Sequence, residues 1–309
     1  MTRIFGYITQ AATSLVLLFG LSNCQTDDLK SPPRYILEIP RVNFTSNYTT
    51  QGTADQRINT VWVSVNDRPI GTYQLPAKIF FTTEPGPNDI RVVAGVSQNG
   101  VNALRTEFPF FETYRETILV EADRETYFLR EDVDSLPLFR YVPGATIINV
   151  EDFEGTGFRV QTTSRSQVPI IRTMPTDNHF NSGIPGEPNQ FSGIARLKKG
   201  EVFFEIESVQ AFDIPRGGGP VYAELHYNIN HPMTIGLIAR TPGGGSEQFS
   251  VVEVRPTNET WRKIYVSFTD DISGTFGAID YRIFLGGIRQ DTTDETELKF
   301  MIDNLKLLY

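Results

Sequence analysis

The stretch 60–65, Thr-Val-Trp-Val-Ser-Val, alternates so that Val61, Val63 and Val65 share one face, the period of a strand with one buried side. Asn66-Asp67-Arg68-Pro69 then supplies turn residues, and 70–76 predicts the returning strand of a hairpin. Strands are also expected at 35–39, 89–96 and 126–129, while 43–60, rich in Thr, Asn and Gly, reads as a loop. The tract 105–114 carries Phe108, Phe110, Phe111 and Tyr114, and predicts a core strand with a bulge at Pro109 rather than an exposed ring platform. Pro137 and Pro143 mark a connector, which places a domain boundary near Gly144.

Beyond that boundary the chain opens with 146–155 and ends with 300–309, and eight or more strand-like runs recur, among them 200–208, 221–229, 234–240, 250–254, 263–268 and 278–285, separated by turn clusters. The run 221–229 keeps Val221, Ala223, Leu225, Tyr227 and Ile229 on one side and Tyr222, Glu224, His226 and Asn228 on the other. The pattern predicts an all-β chain, an Ig-like β-sandwich over 34–144 followed by a jelly-roll β-sandwich over 145–309.

Composition agrees, with 12% aromatics, 25 Gly and 19 Pro but only 4 Met. A net charge of −9 argues against nucleic acid or an anionic membrane face as partner. The single cysteine, Cys24, leaves no disulfide available, so stability rests on packing.

The N-terminus has a separate logic. Arg3, an apolar peak at 15–21 and a small-residue exit make 1–23 a secretory signal, too short in its apolar core to span a bilayer. It ends in Leu21-Ser22-Asn23-Cys24, which resembles the lipobox of bacterial lipoproteins, although Asn23 stands where Gly, Ala or Ser is usual. The resemblance implies that Cys24 becomes the lipidated new N-terminus, palmitate included, at a membrane. The polar stretch 24–33 then reads as a tether. Its Asp27-Asp28 pair looks like the surface-export signal of Bacteroidota-type lipoproteins, implying an exposed position on the outer membrane.

Two further resemblances concern the globular part. The order of strand and turn residues across 61–95 is similar to small Ig-like modules of the PEGA type. Glu151-Asp152-Phe153-Glu154-Gly155 together with the terminal Ile302-Asp303-Asn304-Leu305-Lys306-Leu307 resembles carbohydrate-binding-module jelly rolls of the galactose-binding or lectin-like kind. Such jelly rolls carry a structural Ca²⁺ between first and last strands, which implies Glu151, Glu154 and Asp303 as its ligands, with Asp152 in reserve. For a glycan, the side chains expected on one polar face are Tyr222, Glu224, His226, Arg240, Trp261 and Arg282, because rings and planar hydrogen-bonding groups match the C–H patches and hydroxyls of a sugar.

No catalytic constellation stands out. His226 and His231 are kept off a common helix face by Pro232, His179 lies in a loop, and no G-x-S-x-G occurs. The expected role is non-catalytic binding of a glycan or a surface protein. The alternatives are an assembly subunit of an outer-membrane complex, which needs an apolar partner patch, and a jelly-roll hydrolase or lyase, which needs a groove with convergent acids.

Overall fold

The computed structural model describes residues 33–129, 136–275, 277–291 and 293–309. The signal segment, Cys24 and the Asp27-Asp28 pair lie outside the described residues. The chain is nearly all β, 48% strand and 4% helix, as its period-two patterning predicts.

The first half contains β1 (Arg34–Ile39), β2 (Asn43–Phe44), α1 (Tyr48–Gln51), β3 (Thr60–Val65), β4 (Arg68–Gln74), β5 (Ala77–Thr82), β6 (Gly86–Ser97), β7 (Arg105–Glu107), β8 (Tyr114–Val120), β9 (Thr126–Phe128) and β10 (Leu138–Phe139). β4-β3-β6-β7, with β8 also on β6, forms one sheet; β5-β1-β9 forms another; β10 and β2 pair separately. The β3–β4 turn holds Asn66 and Asp67 at φ 51° and 60°, the left-handed pair that matches strand twist in a two-residue hairpin. Val61, Val63 and Val65 meet Leu37, Ile39, Ile79 and Phe81 in the core.

The second half contains β11 (Ile147–Glu151), β12 (Val160–Thr162), β13 (Ile171–Arg172), β14 (Gly193–Leu197), β15 (Phe203–Ser208), β16 (Tyr222–Ile229), β17 (Met233–Arg240), β18 (Ser246–Val254), β19 (Arg262–Ser267), α2 (Thr269–Gly274), β20 (Asp280–Ile288) and β21 (Leu298–Leu308). β13-β14-β21-β16-β19, with β11 on β21, faces the sheet β12-β15-β20-β17-β18. First and last strands do lie side by side, Ile147 opposite Leu308. Between the sheets sit Leu225, Ile235, Leu237, Ile283, Leu285 and Phe300, each about 1.5–3 kcal/mol of burial.

The strands of the two halves pair within their own half, apart from a parallel bridge between Gln98 and Tyr265. Their cores are not separate, because Tyr222, Tyr265 and Leu308 of the second half pack into the core of the first. The aromatic tract makes this joint. β7 ends at Glu107, and Phe108, Phe110 and Phe111 follow in turns rather than in a strand, with Phe108 edge-on to Tyr222 at 5.2 Å and to Tyr265 at 5.0 Å.

The stretch 43–60, expected as a loop, is an ordered wedge. Asn47 caps α1 by accepting from Thr50 N, and Gly52 closes it at φ 70°. A Cβ on Gly52 would stand 2.8 Å from Lys306 Cε and displace that side chain, and the φ of 70° itself favours glycine. Thr53 Oγ1 and Ala54 N donate to Glu187 at 2.6 and 2.7 Å.

Candidate functional site

Three of the six side chains expected on one ligand face are buried at the joint between the halves, Glu224 and His226 beneath that wedge and Tyr222 beneath Phe108 and Phe110. Glu224, His226 and Tyr222 of β16 are 0%, 2% and 6% exposed. Glu224 pairs with Lys263 at 3.0 Å and accepts from Gln56 Nε2 at 3.2 Å and from Tyr141. Lys263 also donates to Asp55 O at 2.7 Å, and Lys306 donates to Thr53 O at 2.6 Å and to Tyr141 at 3.1 Å. His226 Nε2 lies 2.8 Å from Asp55, and its ring stacks on Phe180 at 4.0 Å.

These contacts correct the sequence reading of the face. Tyr222, Glu224 and His226 do not meet solvent: the first half supplies Gln98, Gln56, Tyr141 and Asp55 as polar partners, and Lys263 of the second half completes the Glu224 ion pair. Alternation marks which side of a strand is polar; it does not say whether water or another polar surface lies there. Trp261 sits at the rim of the same cluster, edge-on to Phe180 with its Nε1 donating to Asn178 O at 2.8 Å.

Charge inside the joint is balanced. Lys263 and Lys306 hold the fully buried Glu224 carboxyl below the usual range despite desolvation. Burial, with Lys263 and Lys306 nearby, drives His226 down to about 4, against the opposing pull of Asp55. Burial likewise lowers Lys306 to about 7, with Glu224 resisting.

Arg240 and Arg282 lie elsewhere, on the five-stranded sheet, where they pair with Asp280 and Glu207. The six residues therefore do not assemble into one site. The outward side of this second sheet is the open one. Glu205 of β15 is 2% exposed and accepts two parallel bonds from Arg165, Nη2 to Oε2 at 2.6 Å and Nε to Oε1 at 3.2 Å. Gln248 Nε2 and Thr163 Oγ1 donate to it at 3.0 and 2.9 Å. Arg165 also lies over the Phe203 ring at 5.5 Å.

Register explains the hollow next to this cluster. Glu205 stands opposite Gly286, and Gly286 opposite Thr234, so the middle of three neighbouring strands carries no side chain. The result is an open depression of about 330 Å³, bounded by Phe203, Thr234, Gln248, Ser250, Phe284 and Ile288. Sequence reading missed it. Arg165 lies in a turn with no strand pattern, and Gly286 is informative only once its neighbours are known.

The expected calcium ligands are brought to one end of the second half, and each already accepts two or more hydrogen bonds from the chain itself. Glu151 accepts from the backbone N of Asp152, Phe153 and Arg159 at 3.0, 2.7 and 2.5 Å. Glu154 accepts from Gln190 N and Phe191 N at 2.7 and 3.0 Å. Asp303 accepts from Ser192 Oγ and Asn304 N, both at 2.7 Å, and burial raises its pKa well above the ordinary value. Cations of the chain itself stand beside them: Arg159 pairs with Asp152 at 2.8 Å, and Arg172 Nε donates to Phe153 O at 2.8 Å. Among the described residues no group of three or more His, Cys, Asp or Glu side chains is arranged to hold a metal ion. The donor set does not fit Ca²⁺, because the acids are held by N–H, hydroxyl and guanidinium donors.

No protein-family model and no curated protein matches the chain. Solved structures similar to it include the C-terminal family 22 carbohydrate-binding module of Clostridium thermocellum Xyn10B, at 13% identity and TM-score 0.32 over 51% of this chain and 90% of that one. The family 11 module of a cellulosomal cellulase of the same organism matches at 13% identity and TM-score 0.34, over 52% and 93%. A family 29 module from Piromyces equi matches at 10% identity and TM-score 0.33, over 53% and 91%.

Proposed function

We propose that the protein is a non-catalytic binding component of the cell envelope, anchored through a lipidated Cys24, whose second half holds a glycan on the outward side of the five-stranded sheet. The observation that carries this reading is the depression over Gly286. One edge is a fixed, hydrogen-bonded cluster of Arg165, Glu205 and Gln248; another is the Phe203 ring, with Phe284 beneath. A pyranose presents hydroxyls to planar polar groups and C–H patches to rings, and a pre-formed cluster loses little side-chain entropy on engaging it. Arg165 is the leading contact, since its side chain is 58% exposed while its carboxylate partner is buried.

A glycan array probed with the full chain tests the reading. Binding of defined oligosaccharides that weakens about tenfold or more in Arg165→Ala or Gln248→Ala is expected, the scale of one or two lost hydrogen bonds to a charged or planar group. A blank array, or affinity unchanged in both variants, refutes the site. Labelled palmitate tests the anchor separately: Cys24→Ser is expected to lose label and leave the membrane fraction, and retention of the label refutes lipidation.

A further inference from the structure

A second and smaller cleft lies where the two halves meet, at the outer edge of β19. The turn after β6 builds one wall, because Asn99 N donates to Tyr265 O at 2.8 Å and Asn99 Oδ1 accepts from Ser267 N at 2.9 Å, extending the sheet past its edge strand. The wedge builds another, fixed where Arg57 N donates to the Tyr265 hydroxyl at 2.9 Å. The space left is about 120 Å³, lined by Arg57, Asn59 and Asn102 from the first half and Tyr227, Arg262 and Tyr265 from the second.

What distinguishes this cleft is uncommitted donor capacity. Both guanidinium groups are on exposed residues, and neither makes an ion pair or side-chain hydrogen bond among the described residues. Close by, Lys263 is paired with Glu224, and Asp55 is turned away onto the neutral His226 ring nitrogen at 2.8 Å. Tyr227 is only 7% exposed, and its hydroxyl has no hydrogen-bond partner among the described residues. Burial raises the pKa of this phenol, both Arg262 and Arg57 act against that rise, and all three residues line the same cleft. An uncompensated positive cleft in a chain of net charge −9 attracts a small anion by field as well as by contact.

We propose that this cleft binds an oxyanion group, a carboxylate, sulfate or phosphate, between Arg57 and Arg262, with the Tyr227 hydroxyl as a third donor. A planar guanidinium offers paired N–H donors matched to two oxygens, and two such groups approaching from different halves make the site conditional on the joint. An anionic ligand here also ties the halves together, since each contributes one cation. The site is independent of the depression over Gly286.

The test is calorimetric titration and thermal melting of the full chain with D-galacturonate, inorganic phosphate, sulfate and, as the uncharged control, D-galactose. Saturable binding of at least one anion and none of galactose is expected, with affinity falling about tenfold or more in the Arg57→Ala/Arg262→Ala double variant. Preference for galacturonate assigns the carboxylate of an acidic sugar as the ligand; preference for phosphate or sulfate assigns a tetrahedral oxyanion. Arg165→Ala is expected to leave this binding unaltered, which separates it from failure of the glycan face. If the alanine double variant melts lower without ligand, Arg57→Gln/Arg262→Gln retains the side-chain stems and replaces it. No response to any anion, or equal affinity in the folded double variant, overturns the proposal.

Discussion

His226 shows how a residue type misleads when its neighbours are unknown. Histidine on a polar strand face suggests ligand contact, yet this ring is enclosed between Phe180 and Asp55 and held neutral by burial. Its pKa falls from an ordinary 6.5 to about 4, so the unfolded chain takes up a proton that the folded chain refuses. The stability this provides is complete above about pH 6.5 and is lost as pH falls through about 4. Asp55 and Glu224, both held below their ordinary values, act in the same direction at the acid end. Denaturant midpoints measured from pH 7 to 4 are expected to fall steadily, and His226→Gln is expected to flatten the upper part of that fall. Since the raised pKa of Asp303 acts in the opposite direction, the comparison decides: a His226→Gln curve with the same pH dependence as the wild type contradicts the buried neutral histidine.

At the scale of elements, β11 and β21 illustrate both the reach and the limit of motif reading. Their adjacency was legible, because a sandwich closing on itself sets its first strand beside its last. The acids expected to hold an ion between them are capped instead by groups distant in sequence, the Ser192 hydroxyl on Asp303 and the backbone at 190–191 on Glu154. Chelator is therefore expected to leave the melting curve of the full chain unchanged. A calcium ion bound only to the folded state at a hundredfold excess over its Kd would add about 2.7 kcal/mol, a shift too large to miss. A lower melting temperature in chelator would reinstate Glu151, Glu154 and Asp303 as ligands.

For the whole molecule, the joint decides how the halves behave. Separating them would expose Tyr222, Tyr265 and Leu308, which belong to the core of the first half, and would strand Glu224, Lys263 and Lys306 without their partners in the wedge. One cooperative thermal transition is expected from calorimetry of the full chain, and two resolved transitions would contradict it. Glu224→Ala leaves Lys263 buried with its countercharge gone, and is expected to lower the stability of that single transition by about 3–5 kcal/mol. A loss confined to part of the unfolding signal would mean that the halves melt separately.

The sequence by itself determined the all-β class, the hairpin at 66–67 and the pairing of first and last strands. These follow from period-two patterning and turn chemistry, which act between near neighbours or through general rules of sheet closure. Tertiary structure alone decided that 43–60 is a wedge, that Phe108 and its neighbours join two cores, and that Tyr222, Glu224 and His226 are enclosed while the side bearing Arg165 and Gly286 stays open. Those outcomes depend on which polar surface meets which, over separations such as the 168 residues between Gln56 and Glu224. A polar position in sequence has the same appearance whether water or a distant side chain completes its hydrogen bonds.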